Sequence, residues 1–233
     1  MNNRSLVSRA LRATLPVMAG YVVLGMGFGV LLHARGYGVG WALAMSLFIY
    51  AGSMQYLTID LLAGGASLIA AALTTLMVNA RHLFYGISMV EGYRGMGKKK
   101  PYAIFALTDE TYSLVCQDQP DLNKAQQQRY FFLVSLFNHG YWVAGSVLGS
   151  LVGQVLPFSV EGVDFALTAL FVTVFLEQWL TTRDHVPAVI GVAASVLCVI
   201  VFGPGSFLIP AMALILASMA VLHMVRKGGN SRE

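Results

Sequence analysis

The sequence predicts an all-α, polytopic integral membrane protein with about six full transmembrane helices and two broken or re-entrant helical segments, both termini lying inside. Three observations predict it. The chain is 57% hydrophobic and 11% charged, with a mean hydropathy of +0.67, whereas an ordinary globular chain carries about 25% charged residues. Its apolar residues gather in eight stretches, roughly 14–33, 41–62, 67–90, 102–117, 130–155, 163–182, 186–202 and 207–225. Its basic residues stand at the ends of those stretches, where the positive-inside rule puts them. A soluble enzyme and a disordered regulator are excluded. The net charge of +4 and the pI of about 9.1 therefore report orientation in a lipid bilayer and not a nucleic-acid partner.

A crossing helix needs about 20 apolar residues, because it rises about 1.5 Å per residue through a hydrocarbon core about 30 Å thick. The first stretch, Leu15 to Leu32, follows Arg4, Arg9 and Arg12 as a signal peptide would. It exceeds the usual apolar region of about 7 to 15 residues and precedes no clear small-x-small cleavage site, so it is read as a retained span. Segment 41–62 carries Gly52-Ser53 at its centre; the residues from Trp41 to Ala51 would descend about 16 Å as helix, half the bilayer, and the segment reads as two half-helices. Segment 67–90 reads as one crossing. Segment 102–117 is the shortest and has Thr108-Asp109 at its centre, good N-cap residues for a half-helix that starts within the membrane. The alternative for both broken segments is an ordinary crossing helix with a kink.

Counting charges separates two topologies. If all eight stretches cross, Arg35, Arg94, Lys98, Lys99 and Lys100 lie outside, against nine basic residues inside: Arg4, Arg9, Arg12, Lys124, Arg129, Arg183, Arg226, Lys227 and Arg232. If 41–62 and 102–117 return to the side they entered from, only Arg35 remains outside, and Glu161 and Asp164 join it there. The rule favours the second arrangement. The two agree from residue 118 onward and differ on the side of 91–100. Either way 1–233 reads as a single transmembrane permease domain with short cytoplasmic tails, 1–12 and 226–233. The two breaks also echo each other, Phe48 to Gln55 beside Ala103 to Glu110, one entering from outside and one from inside, as an inverted repeat would give.

Ionisable groups at membrane depth are costly and mark functional candidates unless they pair or snorkel. Arg81 lies well inside 67–90 with Asn79 and His82 beside it. Helical spacing sets Thr75, Asn79 and His82 on one stripe and Arg81 with Tyr85 on another. Asp109 and Glu110 are adjacent and point about 100° apart on a helix, so one can pair with Arg81 while the other titrates. Permanent pairing that merely joins two broken elements is the plain alternative for Arg81. Ser53 and Gln55 follow the first break, where unpaired amides and the positive dipole end attract a carboxylate. Glu177 reads as snorkelling to the inner interface, and Asn138-His139 as an interhelical hydrogen bond. Gly25, Gly27 and Gly29, and Gly145, Gly149 and Gly153, mark close helix contacts, within the chain or against a small partner. Cys116 and Cys198 form no disulfide framework. No Walker, HExxH, GxSxG or CxxC pattern occurs, so ATP-driven transport and intramembrane hydrolysis have no motif, and no metal or cofactor is expected.

Four motifs in order, Tyr50-Ala51-Gly52-Ser53-Met54-Gln55, Asn79-Ala80-Arg81-His82-Leu83-Phe84-Tyr85-Gly86, Leu107-Thr108-Asp109-Glu110 and Val163-Asp164-Phe165-Ala166-Leu167-Thr168-Ala169-Leu170-Phe171, resemble those of the AzlC family, over nearly the whole chain. That family supplies the large subunit of the AzlC/AzlD (YgaZ/YgaH) branched-chain amino-acid exporters. The resemblance implies export of leucine, isoleucine and valine, extending to methionine, across a bacterial cytoplasmic membrane, with a small AzlD-type membrane subunit as partner. The family often has Ala where this chain has Met54, which narrows or reshapes the pocket, and often Pro where it has Thr168. The combined expectation is a proton-coupled secondary transporter in which the half-helix start near Ser53 and Gln55, with Arg81, meets the substrate carboxylate, and Asp109 or Glu110 meets its ammonium group. A channel-like pore, or an assembly or sensor subunit, remains the alternative.

Overall fold

The computed structural model describes residues 3–116, 119–155, 184–203 and 207–229, together with 172, 175, 176, 179, 180 and 182. Glu161, Asp164, Glu177, Arg183 and the motif from Val163 to Phe171 lie outside the described residues. Every described regular element is a helix. The elements are α1 (Asn3–Ala34), α2 (Val39–Phe48), α3 (Gly52–Ala63), α4 (Leu68–Val78), α5 (Ala80–Ser88), a 3-10 turn (Gly97–Lys99), α6 (Lys100–Phe105), α7 (Asp109–Val115), α8 (Lys124–Val155), α9 (Val186–Phe202) and α10 (Leu208–Gly229). Two of them, α1 and α8, are each long and apolar enough to cross a membrane, and α4 with α5 makes a third if that pair is one span.

The chain divides into two compact units, one of 1–65 with 79–167 and one of 66–78 with 168–233. In the second, α10 packs on α9 and on α4. The spine of the first is the contact between α1 and α8. These two run parallel, since Arg9 faces Tyr130, Thr14 bonds Tyr141 and His33 meets Gly153. Their glycines explain how closely they approach. A Cβ added at Gly29 would sit 2.1 Å from the Ser146 carbonyl oxygen, and one at Gly149 would sit 2.0 Å from that of Met26. The two small-residue rows therefore face each other inside the chain and are not free for a partner subunit.

Against this spine lie two helical hairpins. α2 leaves the last turn of α1, reaches Tyr50, and α3 turns back, so that Tyr56 bonds the Leu24 carbonyl and Asp60 pairs with Arg35. The turn is tight: Tyr50 has φ 42°, a left-handed conformation that is uncommon for a residue with a Cβ. α6 starts from the opposite end of the spine, where Met89, Tyr93, Met96, Leu122, Tyr130 and Phe131 cluster with Leu6 and Ala10. α7 returns to that same end, where Arg9 bonds Asp121 and Gln119. The hairpins thus enter from opposite ends. Their tips meet beside the middle of the spine, with the Tyr50 ring 6.2 Å from Phe105 and 4.3 Å from His139.

Two readings of the sequence need correction. Segment 67–90 is not one continuous helix: it breaks at Asn79, so the spacing of a single unbroken helix does not carry across it. The first break covers 49–51 rather than Gly52-Ser53, because Gly52 already opens α3. The second lies where the sequence puts it. Thr108 is the N-cap of α7 and its side chain accepts from the Thr111 amide, the usual N-cap bond.

Candidate functional site

Three helices begin near the middle of the spine, and each places a polar residue in its first turn. α3 contributes Ser53, α5 contributes Arg81 and α7 contributes Asp109. Arg81 bridges the other two: Nη1 pairs with Asp109 Oδ2, and Nη2 donates to Ser53 Oγ over 3.2 Å. The Arg81 and Asp109 side chains are 39% and 31% exposed, so the pair is neither sealed in the core nor open. Arg81 Nε and Asp109 Oδ1 are buried without a hydrogen-bond partner. A donor and an acceptor thus stay unused within one ion pair. Neither α3 nor α5 has a side-chain cap hydrogen bond on its first turn.

Glu110 takes a different neighbour. Its Oε2 accepts from the Tyr21 hydroxyl of α1 over 2.6 Å, and the same hydroxyl lies 2.7 Å from Thr108 Oγ1. The adjacent carboxylates are divided between two partners, a cation for Asp109 and a neutral phenol for Glu110. Around the pair, the Tyr85 and Tyr112 rings stack at 4.6 Å, Ser88 donates to the Tyr112 hydroxyl over 3.1 Å, and His82 packs edge-on at Tyr85. His82 Nδ1 donates to the Asn79 carbonyl at 3.2 Å, which ties the ring to the break instead of to the ion pair.

Gln55 lies elsewhere. It is 0% exposed; its Oε1 accepts from Trp142 Nε1 over 2.8 Å and its Nε2 donates to Ser46 Oγ over 3.3 Å. The amide fastens the first hairpin to α8. His139 does the same from the neighbouring turn. Its Nε2 donates to the Ser46 carbonyl at 3.0 Å, and its Nδ1 faces the Tyr102 hydroxyl at 2.9 Å, so a neutral imidazole satisfies both contacts. The structure therefore brings together Ser53, Arg81 and Asp109, sets Glu110 alongside, and keeps Gln55, Asn79 and His82 in supporting positions. Tyr21, Tyr50 and Trp142 were missed in the sequence because aromatic residues are unremarkable in apolar runs. Among the described residues, no group of three or more His, Cys, Asp or Glu side chains could hold a metal ion.

Helices broken beside a charged pair, in a chain with spans of this length and hydropathy, define a helical membrane protein. The comparisons give the particular kind. A family model described as AzlC protein matches residues 16–156, and the chain belongs to that family. It is 42% identical over 227 residues to the branched-chain amino acid transport protein AzlC of Bacillus subtilis strain 168, covering 96% of this chain and 89% of that one. It is 39% identical over 210 residues to an uncharacterized membrane protein of Helicobacter pylori strain 26695, covering 90% and 92%. It is 28% identical over 172 residues to the inner membrane protein YgaZ of Escherichia coli K12, covering 71% and 70%. No solved structure matches the chain.

Proposed function

We propose that the chain is the large subunit of a secondary transporter that exports branched-chain amino acids, leucine, isoleucine and valine with methionine at the edge of the range, across a bacterial inner membrane. The observation that carries this reading is the Arg81–Asp109 pair at the meeting of three helix starts, with one donor and one acceptor unused. A zwitterionic amino acid presents a carboxylate and an ammonium group a few ångströms apart, and so offers each member of the pair its opposite charge. The carboxylate takes Arg81 and the first-turn amides of α3 beside Ser53; the ammonium takes Asp109. The Tyr85–Tyr112 stack supplies an apolar wall for the side chain. Glu110, without a cation of its own, binds the proton whose entry drives export.

In this reading the whole chain works as one permease domain with both termini inside and 41–62 and 102–117 re-entrant. A small AzlD-type subunit completes the transporter. The relatives' names support transport and a membrane location; direction, substrate range and proton coupling are our own reading. Counterflow of radiolabelled leucine into proteoliposomes, with and without that subunit, tests it. Isoleucine and valine should compete, whereas leucinamide and 4-methylpentanoate, which lack the carboxylate and the ammonium group respectively, should not. Equal competition by either analogue would show that the site does not read a zwitterion, and unitary currents in a voltage clamp would favour a pore.

A further inference from the structure

One buried side chain of α8 touches the start of α3 directly and the start of α7 through a single neighbour. Trp142 Nε1 donates to Gln55 Oε1 over 2.8 Å. A Cβ added at Gly52 would sit 3.0 Å from the indole Cη2, 3.4 Å from Cζ2 and 3.5 Å from Cζ3. The first turn of α3 therefore meets the ring at two places, its outer edge under Gly52 and its nitrogen under Gln55. The same ring meets Tyr21 of α1, with centroids 5.5 Å apart and planes at 76°. The Tyr21 hydroxyl in turn donates to Glu110 Oε2 over 2.6 Å and lies 2.7 Å from Oγ1 of Thr108, the cap of α7.

The indole has little room to move. Trp142, Tyr21, Phe28 and Gln55 are all buried, and Phe28 stacks on the ring with centroids 6.5 Å apart. The backbone that carries it is held against α1, since a Cβ added at Gly25 would sit 3.0 Å from the Trp142 carbonyl oxygen. Arg81 spans the two helix starts, from Ser53 Oγ at 3.2 Å to Asp109, so their separation decides where the guanidinium is held. Packing alone would ask only for an apolar ring. The indole nitrogen instead meets a fully buried amide, which is costly to leave unpaired, and so fixes the ring against α3 in one register. We propose that Trp142 is the positioning residue of the site: it sets the start of α3 relative to that of α7, and through them the place of Arg81 between Ser53 and Asp109. The proposal rests on the transport reading above.

Two substitutions probe this contact from its two sides. Gly52 is the first residue of α3, where alanine is the better helix former, so Gly52→Ala changes little besides the contact with the ring. Its methyl must lift the first turn off the indole or press the indole away from Gln55 and Tyr21. Ser53, the next residue, moves with the turn. Trp142→Phe removes the outer ring atoms that the methyl would meet, together with the donor to Gln55.

The test uses the full-length chain in proteoliposomes and reads leucine exchange against leucine concentration, beside thermal melts. Gly52→Ala should raise the half-saturating leucine concentration about tenfold, the worth of one hydrogen bond to a charged group, while the maximal rate per folded protein stays near that of the parent. Trp142→Phe should raise it as well. In the Trp142→Phe background, Gly52→Ala should add nothing, because the methyl then enters the space left by the ring edge. A side chain that merely filled the core would lower the melting temperature and the folded yield, and leave half-saturation of the folded protein where it was. An unmoved half-saturation in folded Gly52→Ala, or two effects that simply multiply, overturns the positioning role and leaves the transport reading intact. If Trp142→Phe does not fold, Gly52→Ala alone decides. A parent chain without saturable leucine exchange sinks the transport reading and this role with it.

Discussion

Arg81→Ala takes the guanidinium from Asp109 and Ser53 together. Breaking a fully buried pair costs about 3–5 kcal/mol, and an exposed pair about 0–1 kcal/mol. With side chains 39% and 31% exposed, the loss should fall between, about 2 kcal/mol, read as a lower melting temperature in detergent together with loss of leucine counterflow. Lysine should restore charge but not the two-sided contact, and so should rescue in part. Parent-like stability and activity would show that Arg81 carries neither role. At the end of the spine where α1 begins, the hydrogen bond from Arg9 holds the exposed Asp121 carboxyl below the usual carboxylate range. A depressed value contributes stability in full above about pH 4 and loses it as pH falls through the lower folded value. Asp121→Asn should therefore lower the melting temperature slightly near neutrality, with the difference vanishing in acid. Arg81, Asp109 and Glu110 were legible in the sequence because charge in an apolar run is conspicuous. Tyr21 was not, since nothing in Leu15 to Leu32 distinguishes it until α7 packs against it.

At the scale of elements, the α1–α8 contact is set by missing Cβ atoms. Gly149→Ala would place a methyl 2.0 Å from the Met26 carbonyl oxygen, backbone that cannot step aside. It should cost at least about 1–3 kcal/mol, the usual range for overpacking. Gly140→Ala on the same helix meets nothing within 4 Å and should be neutral or slightly stabilising; thermal melts of the two variants compare them directly. The hairpins were legible where turn chemistry marks them: Gly52-Ser53 opens α3 just after the first break, and Thr108-Asp109 starts α7. The break at Asn79 was not, because neither Gly nor Pro flags it and the hydropathy runs through it unchanged. The small-residue rows were also legible as contact faces, but only the folded chain reveals that each is the other's partner.

At the scale of the whole molecule, the return of α6 and α7 to one end bears on topology. Gln128 donates to the Arg94 carbonyl over 2.7 Å, and Tyr93 packs on Phe131, so 91–100 shares its end with the start of α8. Charge counting puts that end inside. A Lys99→Cys variant should resist an impermeant maleimide in intact spheroplasts and react after lysis; labelling from outside would instead support eight crossings. Composition sufficed for the membrane class, since no packing detail is needed to see that the chain cannot live in water. It did not suffice for the division of partners between Asp109 and Glu110, which depends on which side chain each meets across the fold.

That division is the centre of the account, and one experiment addresses it: leucine movement in proteoliposomes, measured both as exchange without a gradient and as net flux driven by a pH gradient. Glu110→Gln should keep exchange and lose gradient-driven flux, because exchange needs binding and reorientation but no net proton movement. Asp109→Asn should lose both, because it removes the counter-charge of Arg81 and of the substrate. If Glu110→Gln retains full gradient-driven flux, or Asp109→Asn exchanges leucine as the parent does, the roles assigned to the two carboxylates are wrong.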